Sequence, residues 1–258
     1  DAIRRGCRQF LVGIGGSATN DAGTGMLQAM GFRFYDANDK EITHCCGGTM
    51  QDITRIDDSD VPDSVRSSTF TIACDVDTPF CGPEGAAPIF APQKGADTAM
   101  VQQLDAGMAS FANVIEDKYH INIVPIAGAG AAGGMGGAFR AFLDAKLQRG
   151  IEMVLDAIDF NTIIQNADLV ITGEGKIDFQ TAKGKTAAGV LTRAKQQGIP
   201  VVAIGGSVEM CDSVQQMGFA GVYPILEEKV PLEVAMQPDF AATNVENTIR
   251  RILPSHIN

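Results

Sequence analysis

Basic charge, histidine, paired cysteines and long apolar runs are all scarce in this sequence. Its 258 residues carry 20 Lys and Arg against 31 Asp and Glu, a formal net charge of −11, with an isoelectric point near 4.7. Nucleic acids and anionic lipids are recognised through clustered Lys and Arg, so the composition excludes nucleic acid and a membrane surface as expected partners. A few cations or backbone amides inside a cleft still allow a small anionic substrate. Three histidines accompany six cysteines (Cys7, Cys45, Cys46, Cys74, Cys81 and Cys211), with no CxxC pair. That argues against a zinc framework. The cysteines read as reduced thiols, and the neighbours Cys45 and Cys46, which bridge only with strain, read as free thiols in a glycine-rich loop. No apolar run approaches the roughly 20 residues that cross a bilayer, and no basic-then-apolar leader opens the chain. The expected location is cytoplasmic. The first residues, DAIRRGCRQF, hold neither an initiator Met nor a strand and resemble the last turns of a helix closed by Gly6. The chain therefore reads as a fragment.

What is present is ordinary globular composition, 45% hydrophobic and 20% charged, enough for a core in one large or two smaller domains. Apolar β-prone runs ending in glycine or acidic turns predict strands at 10–14, 32–35, 70–74, 168–172, 200–204 and 221–225. The clearest helix is expected over 99–119, capped by Asp97 or Thr98, with Met100, Val101, Leu104, Met108, Phe111, Ala112 and Ile115 on its core face. Further helical patterns cover 138–147, 186–197, 208–217 and 241–252. Strand and helix alternate in the last part, which predicts a parallel α/β sheet. The first half, with a long polar segment over 36–68, suits an α+β arrangement, and a domain boundary is expected within 148–161. GIGGS at 13–17 and AIGGS at 203–207 read as two βα turns, weak evidence for duplication.

Several motifs carry chemistry. Gly13-Ile-Gly-Gly-Ser-Ala18 fits the dinucleotide pattern GxGxxA, with Asp36 ending the next apparent strand, yet polar Thr19-Asn20-Asp21 stand where a Rossmann helix begins its apolar face. The glycines serve equally as a plain tight turn. Thr172-Gly-Glu-Gly-Lys-Ile-Asp178 places Glu174 and Asp178 at the carboxyl end of a strand, where ligands of parallel sheets bind; a solvated acidic loop is the bland reading. Gly184-Lys185-Thr186 ends like a P-loop, but Phe179 stands where Walker A requires glycine, so only a helix start favouring an anion survives, with Lys183 and Lys185 adding charge. Asp75 and Asp77 alternate after a strand and are candidates to share a divalent cation, or are solvated turn acids. Lys94, between proline and glycine, offers a carboxylate or phosphate contact, and the run 128–137, with six glycines, is either a hinge or a nest of amides for an anion.

Taken in order and spacing, VGIGGSATNDAGTGMLQAMG, ACDVDTPFCGPEGAAPIFAPQKGA, GAGAAGGMGGAFRAFL and ADLVITGEGKIDFQTAKGKT closely resemble the bacterial glycerate kinase family, over Gly6 to about Val230. The resemblance implies an α/β fold of two domains. Residues 1–155 would form a second α/β domain, described as restriction-enzyme-like; 156–258 would form the C-terminal part of a flavodoxin-like parallel-sheet domain, with a cleft between them. It also implies ATP-dependent phosphorylation of D-glycerate, with 2-phosphoglycerate favoured over 3-phosphoglycerate, and Mg2+ with ATP as cofactors. Family members carry a further N-terminal segment that completes the flavodoxin-like domain. Without it the chain is expected to be inactive and to expose a sheet edge. A homodimer is allowed. Phosphoryl transfer needs a cation, donors for the transferring oxygens and a carboxylate for the hydroxyl proton. Asp178 is expected as the hydroxyl-orienting base, and Glu174, Asp75 or Asp77 as magnesium holders. The amides of Gly15, Gly16 and Ser17, with Thr19 and Asn20, would grip phosphate or carboxylate, helped by Lys94 or Lys185. The alternatives are an NAD-type oxidoreductase, a sugar-acid or acyl-phosphate enzyme, and a noncatalytic binder of small organic acids.

Overall fold

The computed structural model describes every residue of the chain except Glu227, Lys229, Asn258 and the side chain of Lys183; the positive charge expected from Lys183 therefore lies outside the described residues. The chain divides into two compact units, Asp1–Gly150 and Ile151–Asn258.

The first unit holds a parallel sheet in the order β1 (Gln9–Gly13), β4 (Thr69–Ala73), β5 (Lys146–Gln148). Gly13 pairs with Ala73 and Ala73 with Gln148, so three strands end on one level. A separate antiparallel hairpin joins β2 (Arg33–Tyr35) to β3 (Arg55–Asp57). The helices are α1 (Thr24–Ala29), α2 (Asp63–Arg66), α3 (Ala86–Phe90), α4 (Thr98–Tyr119) and α5 (Ala131–Leu143). Asp97 caps α4 by accepting the Met100 amide, and His120 closes it in the left-handed region. Its expected stripe packs the core from Met108 through Phe111, Ala112 and Ile115, against Phe34, Leu27 and Met50. Met100 differs: at 53% exposure, on the first turn of α4, it lies outside that core.

The glycine run at 128–137 is neither a free hinge nor an open nest of amides. Ala132, Gly133 and Gly134 are left-handed at the start of α5. A Cβ on Gly133 would lie 2.2 Å from the Thr19 carbonyl oxygen, and one on Gly136 would lie 2.1 Å from that of Gly128. The run is a seat on which the backbone of residues 19–22 rests, tied by the Ala22 amide donating to the Gly133 carbonyl. The helix expected over 138–147 stops at Leu143 because Asp144 turns left-handed and Leu147 joins β5.

The second unit is a parallel sheet in the order β6 (Val170–Ile177), β7 (Val201–Val208), β8 (Gly221–Pro224). It carries α6 (Gly150–Ala157), which starts on the last residue of the first unit, then α7 (Phe160–Ile163), α8 (Thr186–Gln196), α9 (Asp212–Met217), α10 (Leu232–Ala235) and α11 (Pro238–Ile252). Val201 packs with Leu155, Val190 and Leu191, whereas Val202 and Ile204 pack with Ile252. β7 is thus covered on both faces, which explains its unbroken apolar run. Two expectations are corrected. Gly173 to Ile177 continue β6 as strand, and Gly205 to Ser207 continue β7, so AIGGS is no βα turn. The glycines allow close strands: a Cβ on Gly206 would lie 2.7 Å from the Gly175 carbonyl oxygen. For the same reason the helix expected from 208 begins only at Asp212.

Candidate functional site

In the first unit, the loop after β1 and the turn after β4 meet at the carboxyl ends of neighbouring parallel strands, the side on which such sheets bind ligands. A cavity of about 310 Å³ opens there, lined by Gly15, Gly16, Ser17, Asp75 and Lys94 among others. Gly16 is left-handed at φ 68°, and Cβ atoms built on Gly15 and Gly16 meet nothing within 4 Å. These glycines face open space, unlike the packed run on α5. A short helical turn at Pro92–Lys94, closed by Gly95, delivers Lys94 to the loop. Its ammonium donates to Ser17 Oγ at 2.9 Å and to the Thr19 carbonyl at 2.5 Å. Among the described residues no carboxylate lies in ion-pair range of Lys94; burial lowers its pKa and Asp21 at longer range opposes that shift. This half-buried cation is held by neutral oxygens.

Thr19 and Asn20 stand apart from this cavity. The Thr19 hydroxyl donates to Asp21 Oδ1, which also accepts the Gly23 amide and so fixes the turn into α1. Both residues line an adjoining cavity of about 470 Å³ that shares Lys94 as its wall. Asn20 donates to the Met108 sulfur at 3.4 Å, and its Oδ1 is buried without a partner among the described residues.

The acidic pair does not form an ion cage. Asp75 Oδ1 accepts the Gly150 amide at 2.8 Å, and Asp77 lies 3.5 Å from the Arg149 guanidinium. Among the described residues no group of three or more His, Cys, Asp or Glu is placed to hold a metal ion. Magnesium bound with phosphates needs only one or two protein carboxylates. Asp75, in the cavity wall, fits that need; Asp77 does not, because Arg149 supplies its counter-charge.

In the second unit, Glu174 sits on β6 and its Oε1 accepts the Ala187 amide at 2.9 Å in the first turn of α8. Oε2 accepts the hydroxyl of Thr181 at 3.2 Å. The anion found at this helix start is the chain's own carboxylate, and Glu174 caps the first turn of α8. Asp178 is buried, with Oδ1 accepting the Gln180 amide at 2.9 Å and Oδ2 paired with Lys176 at 3.2 Å. The Gln180 amide first, then Lys176 and Lys185, holds its carboxyl below the usual range against the opposing effect of burial. Lys185 donates to Gln180 Oε1 at 2.8 Å, bracing that turn. Lys176 escaped the reading of the sequence; its signal was the two-residue spacing in Glu174-Gly-Lys176-Ile-Asp178, which sets alternate side chains of a strand on one face. Gln93, on the wall of the smaller cavity, also went unread, having no motif beyond its place before Lys94.

The dinucleotide alternative fails on topology. Asp36 follows a strand of the antiparallel hairpin, not a parallel neighbour of β1, and its Oδ1 is taken by the Asn38 and Lys40 amides. A Rossmann acid must stand at the end of the strand beside the glycine turn.

An α/β chain with an open glycine loop and a lysine at parallel strand ends, and a paired aspartate at the end of another strand, defines the class by fold and residue set. Comparison with known proteins specifies it: the sequence model of the glycerate kinase family matches residues 1–256, and the chain belongs to that family. It is 45% identical over 238 residues to the glycerate kinase of Halalkalibacterium halodurans, covering 92% of this chain and 62% of the relative. It is 44% identical over 255 residues to the glycerate kinase of Bacillus subtilis, covering 98% and 66%. With the glycerate 2-kinase of Escherichia coli it shares 42% over 237 residues, covering 92% and 62%. The fold matches the crystal structure of a protein provisionally named glycerate kinase 2 from Salmonella typhimurium LT2, with TM-score 0.82, 39% identity, and coverage of 98% of this chain and 66% of that one. The chain spans 62 to 66% of the length of the first three curated relatives it matches.

Proposed function

We propose that the protein phosphorylates D-glycerate with ATP, favouring the 2-hydroxyl, in the cytoplasm. The observation that carries this reading is Lys94, a half-buried cation without a carboxylate partner among the described residues, in one cavity wall with Gly15, Gly16 and Ser17. The membership of the chain in the glycerate kinase family supplies the substrate class. On this reading Lys94 and the glycine loop hold a carboxylate or phosphate, since charge-assisted hydrogen bonds from fixed donors stabilise phosphoryl oxygens. Asp178, kept ionised by the Gln180 amide and Lys176, orients the attacking hydroxyl and takes its proton. Glu174 and Thr181 hold the turn that carries Asp178, and Lys185 braces Gln180. A magnesium ion bound with the nucleotide would neutralise phosphate charge, and Asp75 is the residue that would hold it. The first unit is assigned to the restriction-enzyme-like domain and the second to the flavodoxin-like one. No helix among the described residues is long and apolar enough to cross a membrane.

The test is ADP release by the full-length protein with D-glycerate and ATP, with the product read by phosphorus NMR. Glycerate-dependent ADP release with the phosphate on carbon 2 is expected. Binding of glycerate with no ADP release would leave an organic-acid binder and end the kinase reading.

A further inference from the structure

At the carboxyl ends of β6 and β7 the structure holds a cation, Lys176 of β6, forked between two acids that follow the strands. The strands run parallel with Lys176 opposite Ser207 and Ile177 opposite Val208. The Glu209 amide donates to the Ile177 carbonyl at 2.8 Å, which extends the ladder by one residue and fixes Asp178 and Glu209 beside each other. Lys176 Nζ lies 3.2 Å from Asp178 Oδ2 and 2.8 Å from Glu209 Oε2. The two acids differ in setting: the Asp178 side chain is 10% exposed, that of Glu209 67%.

We infer that Lys176 is a positioning residue for Asp178, and that Glu209 competes for the same ammonium and so sets how firmly the Asp178 carboxylate is held. The inference rests on Asp178 being the hydroxyl-orienting group. The contacts around Asp178 come from its own turn and strand, and of these only Lys176 reaches Oδ2. Oδ1 is bound to the Gln180 amide, the Asp178 amide donates to Thr181 Oγ1 at 3.3 Å, and Thr181 is tied to Glu174. Oδ2 is the oxygen left to a long, half-exposed side chain. A substrate hydroxyl needs such an oxygen. Lys176 can yield it without losing a counter-charge, because the shorter of its two contacts is already with Glu209. Without Glu209, Lys176 would be bound to Asp178 alone, and withdrawal would leave it unpaired. Lys176 is raised above the ordinary lysine range chiefly by Glu209 and next by Asp178, in keeping with that order.

Among the described residues, the charged groups facing Asp178 are Lys176 on its own strand and Lys185 ahead of α8, with Glu209 after β7 acting through Lys176. An opposite charge lowers a carboxyl pKa, so removing Lys176 raises it and removing the competitor lowers it. Those opposite signs are the test. The Asp178 carboxyl carbon is followed by carbon-13 NMR across acid pH, its signal assigned by its loss in Asp178→Asn. Lys176→Met is expected to move the midpoint up by about one pH unit, Glu209→Gln to move it down, and Lys176→Arg to leave it near the parent value. In the full-length protein, Lys176→Met should lower kcat for D-glycerate with little change in KM, and Lys176→Arg should restore it. A midpoint that stays put in both variants, or moves the same way in both, overturns the inference while leaving the kinase reading intact. Unreduced turnover in Asp178→Asn would instead remove Asp178 from the reaction and take the positioning role with it.

Discussion

Glu174 shows what a single side chain in this chain is for. The sequence places an acid between two glycines and invites a metal or a substrate; the structure spends both carboxylate oxygens on the Ala187 amide and the Thr181 hydroxyl. A carboxylate at a helix N-terminus satisfies an otherwise unpaired amide and meets the positive end of the helix dipole. Glu174→Ala is therefore expected to cost about 1–2 kcal/mol, read as a lower urea midpoint together with faster hydrogen exchange at the Ala187 amide. Glu174→Gln should cost less, since its amide oxygen still accepts. Unchanged stability and exchange in Glu174→Ala would show that the cap carries no weight. The residue types of the site were legible because acids, glycines and a lysine stood in motifs. Their division of labour was not: sequence alone does not distinguish an acid aimed at a ligand from one that binds its own backbone. Asp77 makes the same point, since Arg149, far along the chain, decides its role.

At the scale of elements, the strands and long helices were readable where apolar periodicity is strong, as in α4 and β7. Short elements were not. β3 contributes one buried side chain, Ile56, inside a polar segment, and β5 pairs only three residues. Glycine misled in both directions, ending strands on paper that in fact run on, and suggesting flexibility where backbone packs on backbone. Gly133 is the sharpest case, with φ 68° and its Cβ position only 2.2 Å from the Thr19 carbonyl oxygen, the same oxygen that accepts from Lys94. Gly133→Ala should destabilise the first unit by about 2–4 kcal/mol, combining left-handed strain with overpacking. It should also weaken D-glycerate binding by displacing the Lys94 acceptor. Thermal unfolding and a glycerate titration check both; a variant as stable as the parent would mean the loop relaxes freely off α5.

For the whole molecule, charge and site point in opposite directions. The chain carries a net −11, yet the glycine-loop cavity holds a lysine with no carboxylate partner among the described residues. Long-range repulsion between exposed charges is screened by salt beyond about 10 Å, whereas contacts inside a cavity are not. On the proposed reading the local lysine therefore governs affinity, and the global charge does not. The most direct measurement is calorimetric titration of D-glycerate into the full-length protein and its Lys94→Met variant. A charge-assisted hydrogen bond is worth about 1.5–3 kcal/mol, so the variant is expected to bind at least about tenfold more weakly. Equal affinity in the two proteins would contradict the assignment of the glycine loop and Lys94 as the anion site.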